Sequence, residues 1–167
     1  MGALVIDAFE FCRLKERLEG ETPVADLKRL AADCVHPAAS VRWSLIGGTD
    51  ALGHPQLTLS VAGSVPLMCQ RCMTPFDYSF ETESILLLAQ SEEQADEIEE
   101  AIADDTIDVI VGSKAMDVMN LIEDEALLAL PLSPRHDVCP DATALDALKQ
   151  DRKASPFDVL KNIKQKN

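Results

Sequence analysis

Val41-Arg42-Trp43-Ser44-Leu45 and Leu57-Thr58-Leu59-Ser60-Val61 each alternate an apolar with a polar residue. Successive side chains of a strand point to opposite faces, so a period of two marks strands with one buried face. Gly47-Gly48 and Gly53-His54-Pro55 lie between the two runs and supply turn residues, which makes an antiparallel pair the expected arrangement. Further along, Ser64–Met68 reads as a strand running into Cys69. Phe76-Asp77-Tyr78-Ser79-Phe80 alternates again and leads into Ile85-Leu86-Leu87-Leu88, a second long strand. Cys69 to Pro75 therefore falls at a hairpin tip. Asp108-Val109-Ile110-Val111 reads as a last strand.

Helical spacing flanks this strand-rich centre. Asp7 to Leu18 reads as a first helix, capped by Asp7 and carrying Phe11, Leu14 and Leu18 on one side. Glu19-Gly20-Glu21-Thr22 breaks it, and Pro23 opens a second, short helix with Val24, Leu27 and Leu30 as its apolar face. Residues 91–108 hold nine carboxylates and no Lys or Arg, and read as a solvated acidic loop or a frayed helix. Lys114–Leu130 reads as the long helix, with Ser113 as N-cap and Pro131 as stop. Ser155 and Pro156 then open a short helix near the C-terminus. The expected fold is α+β: an antiparallel sheet, open to curling toward a barrel, packed by one long and two or three short helices. Residues 1–148 read as one globular domain and residues 149–167 as a basic tail.

With 47% apolar residues in a chain of 167, a real core is within reach, and with only 4% aromatics that core must be mostly aliphatic. No apolar run approaches the roughly 20 residues of a membrane span. The N-terminal stretch turns charged too early for a secretory signal. Cys12, Cys34, Cys69, Cys72 and Cys139 are too few and too unevenly spaced for a disulfide scaffold, so the expected location is the cytoplasm, with reduced thiols or a metal site. The chain carries −14, which argues against a surface built to hold phosphates. The charge is unevenly placed. Lys149, Arg152, Lys153, Lys161, Lys164 and Lys166 outweigh Asp151 and Asp158, a net +4 that leaves −18 on the rest. The acidic body suits basic partners, and these six cations are the candidates for contact with RNA or a partner.

The sharpest local motif is Cys69-Gln70-Arg71-Cys72, since two thiols three apart at a turn can face one tetrahedral ion. One such pair is half a zinc site. The other close pair of soft ligands is His136 and Cys139, in a loop bounded by Pro131, Pro134 and Pro140. If the hairpin tip and that loop meet, Cys69, Cys72, His136 and Cys139 make a closed set for one structural zinc. If they do not, these are reduced thiols and a surface histidine. A thioredoxin-like use of Cys69 and Cys72 would need a helix start after a parallel strand, whereas strands are expected on both sides here. No phosphate-cradling glycine loop or nucleophile elbow is present. Glu123, Asp124 and Glu125 have the pattern of a solvated helix face, His36 and His54 precede prolines as turn residues do, and Trp43 reads as sheet packing. Catalysis is not expected.

Three segments, in order, carry a resemblance. Leu67-Met68-Cys69-Gln70-Arg71-Cys72-Met73-Thr74-Pro75-Phe76 has a Cys-x-Arg-Cys knuckle followed by Pro-Phe. Asp117–Pro134 contains Ile122-Glu123-Asp124-Glu125 and the exit Leu128-Ala129-Leu130-Pro131-Leu132-Ser133-Pro134. Ser155-Pro156-Phe157-Asp158-Val159-Leu160-Lys161 closes the chain. Together they resemble the YceD family of large ribosomal RNA subunit accumulation proteins over roughly the last hundred residues. The resemblance implies a role in the synthesis, processing or stability of 23S rRNA, without an established catalytic activity. The implied partner is the large-subunit precursor, reached through ribosomal or assembly proteins and 23S rRNA. Many members carry further cysteines after the proline-rich exit, like the second half of a metal knuckle; this chain offers His136 and Cys139 there. The alternative readings are a thiol-disulfide oxidoreductase using Cys69 and Cys72, and a zinc-stabilised interaction module unrelated to ribosomes.

Overall fold

The computed structural model describes residues 3–140. The basic tail of residues 149–167, the short helix expected there and its six cations lie outside the described residues. The described elements run β1 (Val5–Ile6), α1 (Ala8–Leu14), β2 (Arg17–Pro23), a 3₁₀ turn (Val24–Asp26), α2 (Lys28–Asp33), β3 (Ser40–Thr49), β4 (Pro55–Met68), β5 (Pro75–Ala89), α3 (Glu92–Ile102), β6 (Ile107–Val111), β7 (Met116–Asp117) and α4 (Val118–Ala129). The fold is α+β. Strands β2 to β6 form a five-stranded sheet in chain order, and β1 pairs with β7 in a separate two-stranded ribbon.

The alternating runs become the centre of the sheet. Val41 pairs with Gly63 and Thr49 with Pro55 in the β3–β4 ladder. Leu57 pairs with Leu86 and Met68 with Pro75 in the β4–β5 ladder, which continues to the hairpin tip. The apolar positions Val41, Trp43, Leu45, Leu57, Leu59, Val61, Val65 and Leu67 all face one side. On that side they meet Phe11 of α1, Leu30 of α2 and Val118, Ile122 and Ala126 of α4 in one continuous core.

The sheet does not close into a barrel. Closure would need β2 to pair with β6, yet β2 pairs with β3 and β6 with β5, leaving both as edges. The physical reason is the filling of the concave side: three helices occupy the space a barrel would have to enclose. The sheet is also mixed, because β6 runs parallel to β5. A parallel neighbour needs a crossover, and α3 supplies it. Of the two readings of residues 91–108, the helix is the one found: Glu92–Ile102 is helical, and a short turn leads into β6. Ser91 accepts a hydrogen bond from Gln94 N as its N-cap, and Ala95 and Ile98 pack on Leu87 and Ala89 on the second face of the sheet. Glu92 and Glu93 in its first turn sit where the helix dipole favours negative charge.

Two other expectations shift. The first helix ends at Leu14, because Lys15 adopts the left-handed conformation (φ 55°) and turns the chain into β2. Asp7 does cap it, accepting from Phe9 N and Glu10 N. The later helix starts at Val118, with Asp117 as N-cap in place of Ser113, because Met116 and Asp117 are drawn into the ribbon with β1. Strand β2 was hidden by its composition, Arg17-Leu18-Glu19-Gly20-Glu21-Thr22-Pro23. Gly20 lies opposite Trp43, and a Cβ there would sit 2.9 Å from the indole ring. The ring packs close against Gly20, and its Nε1–H donates to Thr22 Oγ1 at 2.9 Å.

Candidate metal centre

Strand β4 stops at Met68, and the chain reverses over residues 69–74. Cys69 N–H donates to Thr74 O and Met73 N–H to Cys69 O, with Met73 in the left-handed region at φ 58°. Helix α4 ends before Pro131, which cannot continue it, and the following loop runs back to the same place. Gln70 N–H donates to Pro134 O at 2.8 Å, and Ser133 Oγ donates to Gln70 Oε1 at 2.9 Å. The hairpin tip and the proline-flanked loop therefore meet.

The meeting brings Cys69, Cys72, His136 and Cys139 together, with one ligand atom of each within 4.8 Å of all the others. Cys69 Sγ lies 3.9 Å from Cys139 Sγ, and Cys72 Sγ lies 3.4 Å from His136 Nδ1. With Zn–S bonds of about 2.3 Å and Zn–N bonds of about 2.0 Å, tetrahedral angles put two sulfurs about 3.8 Å apart and a sulfur and nitrogen about 3.5 Å apart. The donor types and both spacings fit that ion. Cys69 and Cys139 are buried, while Cys72 and His136 are half-buried. All five cysteines are free thiols.

The surroundings favour a thiolate at Cys69. Burial pushes its pKa up, but N–H groups of Cys72, His136 and Arg71 point at the sulfur and pull it down to about 5. At Cys139, burial raises the pKa and prevails, with contacts to Cys72 and Cys69 adding to it, while Arg71 pulls the other way. Arg71 Nε–H donates to Cys139 Sγ at 3.0 Å, and its Nη2 donates to His136 O at 3.0 Å. Thr74 Oγ1 lies 2.9 Å from Cys72 Sγ, and the Phe76 ring packs at 4.7 Å on the His136 ring. Arg71, Thr74 and Phe76 were not among the residues expected at the site. The Cys-x-Arg-Cys spelling and the Pro-Phe after it were the available signal for two of them.

The remaining candidates lie apart. Glu123 is buried and accepts from Arg29 N–H, Leu30 N–H and Arg29 Nε–H, so it fastens the start of α2 to α4. Asp124 accepts from Arg29 Nη1 at 2.5 Å, and Glu125 accepts from Thr82 and Ser84 of β5. That row was expected to be a solvated face; its members instead tie α4 to its neighbours. His54 Nδ1 sits 2.8 Å from Asp50 Oδ2 in the β3–β4 turn. Cys69 and Cys72 have β4 before them and β5 after them, without the helix start that a thioredoxin-like pair requires. Among the described residues no helix is long and apolar enough to cross a membrane.

Known proteins place this arrangement. A protein of Haemophilus influenzae named large ribosomal RNA subunit accumulation protein YceD is 28% identical over 170 aligned residues, covering 98% of this chain and 96% of its own. That likeness takes in the N-terminal third. No solved structure matches. The family described as large ribosomal RNA subunit accumulation protein YceD matches residues 57–164, which include the knuckle, α4, the proline-flanked loop and the C-terminal Pro-Phe segment. This chain belongs to the YceD family of large ribosomal RNA subunit accumulation proteins.

Proposed function

We propose that this protein is a non-catalytic factor for the synthesis, processing or stability of 23S rRNA, acting in the cytoplasm, on which large-subunit accumulation depends. The observation that carries the reading is the family match across residues 57–164. Cys69, Cys72, His136 and Cys139 hold one structural zinc in this reading. Four protein ligands leave the ion no open position for water, so it supplies cross-linking and no chemistry. What the chain's own residues do is fix the hairpin tip against the loop after α4, and so present that end of the sheet as one rigid surface.

The body and the tail divide the contacts. The body is strongly acidic and attracts a basic ribosomal or assembly protein of the large-subunit precursor. Lys149, Arg152, Lys153, Lys161, Lys164 and Lys166 form a basic tail appended to a domain of residues 1–148, and they are the groups available to touch 23S rRNA. A thiol oxidoreductase is disfavoured by context: Cys69 is buried, and neither it nor the half-buried Cys72 stands at the helix start that such a pair uses. The test is a sucrose-gradient profile of a strain lacking the gene. Depleted free large subunits are expected, restored by the full chain; an unchanged profile in fast and in cold growth contradicts the reading.

A further inference from the structure

We propose that Arg71 is the outer-sphere counter-charge of the metal centre, a positioning residue that sets how tightly the ion is held. The inference rests on the zinc reading above. Three thiolates, one neutral imidazole and one divalent cation sum to a centre of −1 once the thiols have released their protons. That residual charge sits half-buried in a body whose net charge is already strongly negative, so it needs a cation in contact. Arg71 is placed to be that cation. Its Nε–H meets Cys139 Sγ at 3.0 Å. Its Nη2 meets His136 O at 3.0 Å, which holds the guanidinium across the gap between the knuckle and the loop. Arg135, on the same loop, makes no hydrogen bond to any of the four donors.

The fork geometry matters as much as the charge. Among the described residues each thiol has its own support: Cys69 receives backbone N–H groups, Cys72 has the Thr74 hydroxyl, and Arg71 is the side-chain donor to Cys139 from outside the four ligands. A lysine brings the charge but not two donors in fixed directions. Arg71 thus joins the two functions of orienting the last ligand and offsetting the excess charge.

The experiment is zinc competition against a chromophoric chelator on the full-length protein, for wild type, Arg71→Met, Arg71→Gln, Arg71→Lys and the control Arg135→Gln. Outer-shell changes typically cost about 10–100-fold in metal affinity. Arg71→Met is expected to lose that much, Arg71→Gln nearly as much, and Arg71→Lys to recover part of it. The cobalt-loaded forms should show the same ligand-field bands throughout, because the four ligands are unchanged. Arg135→Gln should match wild type. Wild-type zinc affinity in all three Arg71 variants would overturn the inference while leaving the metal centre standing. Arg71→Gln holding wild-type affinity while Arg71→Lys loses it would also overturn it, by showing that charge is irrelevant. A wild-type protein that takes up no zinc would sink both.

Discussion

At the scale of single residues, the site and the buried carboxylate make opposite kinds of statement. If the four donors share an ion, each cross-links two segments that the unfolded chain holds far apart, so metal binding adds directly to folding free energy. Protein purified without chelator is expected to carry close to one zinc per chain, by elemental analysis. Cys72→Ser should lose the metal and several degrees of melting temperature, while Cys34→Ser, outside the cluster, should cost about 1 kcal/mol or less. Equal melting of the two variants would reduce the cluster to free thiols in proximity. Glu123 needs no metal. Burial pushes its pKa up, but the Leu30 N–H, the Arg29 guanidinium and the Arg29 N–H outweigh burial and hold it below the usual carboxylate value. A depressed folded-state pKa gives stability that is fully present above the ordinary value of about 4.3 and is lost as pH falls through the folded value. Glu123→Gln should therefore cost about 2 kcal/mol near neutral pH, as lost hydrogen bonds to a charged group do. The gap between wild type and variant, read from urea unfolding, should close as the pH drops below the carboxylate range. A gap independent of pH would show that shape, and not charge, is what Glu123 contributes.

At the scale of elements, the packing of α1 on β3 turns on one glycine. A Cβ on Gly47 would lie 2.5 Å from the Phe11 carbonyl oxygen and 2.9 Å from its carbonyl carbon, backbone atoms that can yield only by moving the helix. Neighbouring Gly48 has nothing within 4 Å. Gly47→Ala is thus expected to cost about 1–3 kcal/mol, the range of overpacked cores, and Gly48→Ala far less, by urea midpoint. Similar midpoints would contradict the close approach. Gly47-Gly48 read from sequence only as a turn, and both instead lie within β3. The same limit explains what sequence pattern missed elsewhere. The runs of β3, β4 and the first half of β5 were legible because a period of two survives where one face is buried, and the end of β5, buried on both faces, showed as a continuous apolar run. Strand β2 lies at an edge and buries mainly Thr22, so Arg17, Glu19 and Glu21 erase the pattern. Helix α3 buries only Ala95 and Ile98, and the six carboxylates around them read as a solvated loop or a frayed helix. The site was half legible. Cys-x-x-Cys and His-x-x-Cys named the donors, but their meeting depends on the length of β4 and β5 and on the path of the chain after Pro131, which periodicity does not encode.

At the scale of the whole molecule, charge and topology divide the labour. One face of the sheet is filled by α1, α2 and α4, and the acidic α3 covers part of the other. The metal-ligand cluster lies at the far end of the β4–β5 hairpin, where the described chain also ends. The most basic part of the sequence, residues 149–167, follows that point in the chain. In the proposed function, the acidic body meets a basic partner and the basic sequence after it meets the rRNA. The measurement that bears most directly on this role is the ratio of 23S to 16S rRNA in a strain lacking the gene, with and without the full chain supplied in trans. The ratio is expected to fall on deletion and to return on complementation; a ratio that stays at the wild-type value after deletion contradicts a role in large-subunit rRNA accumulation.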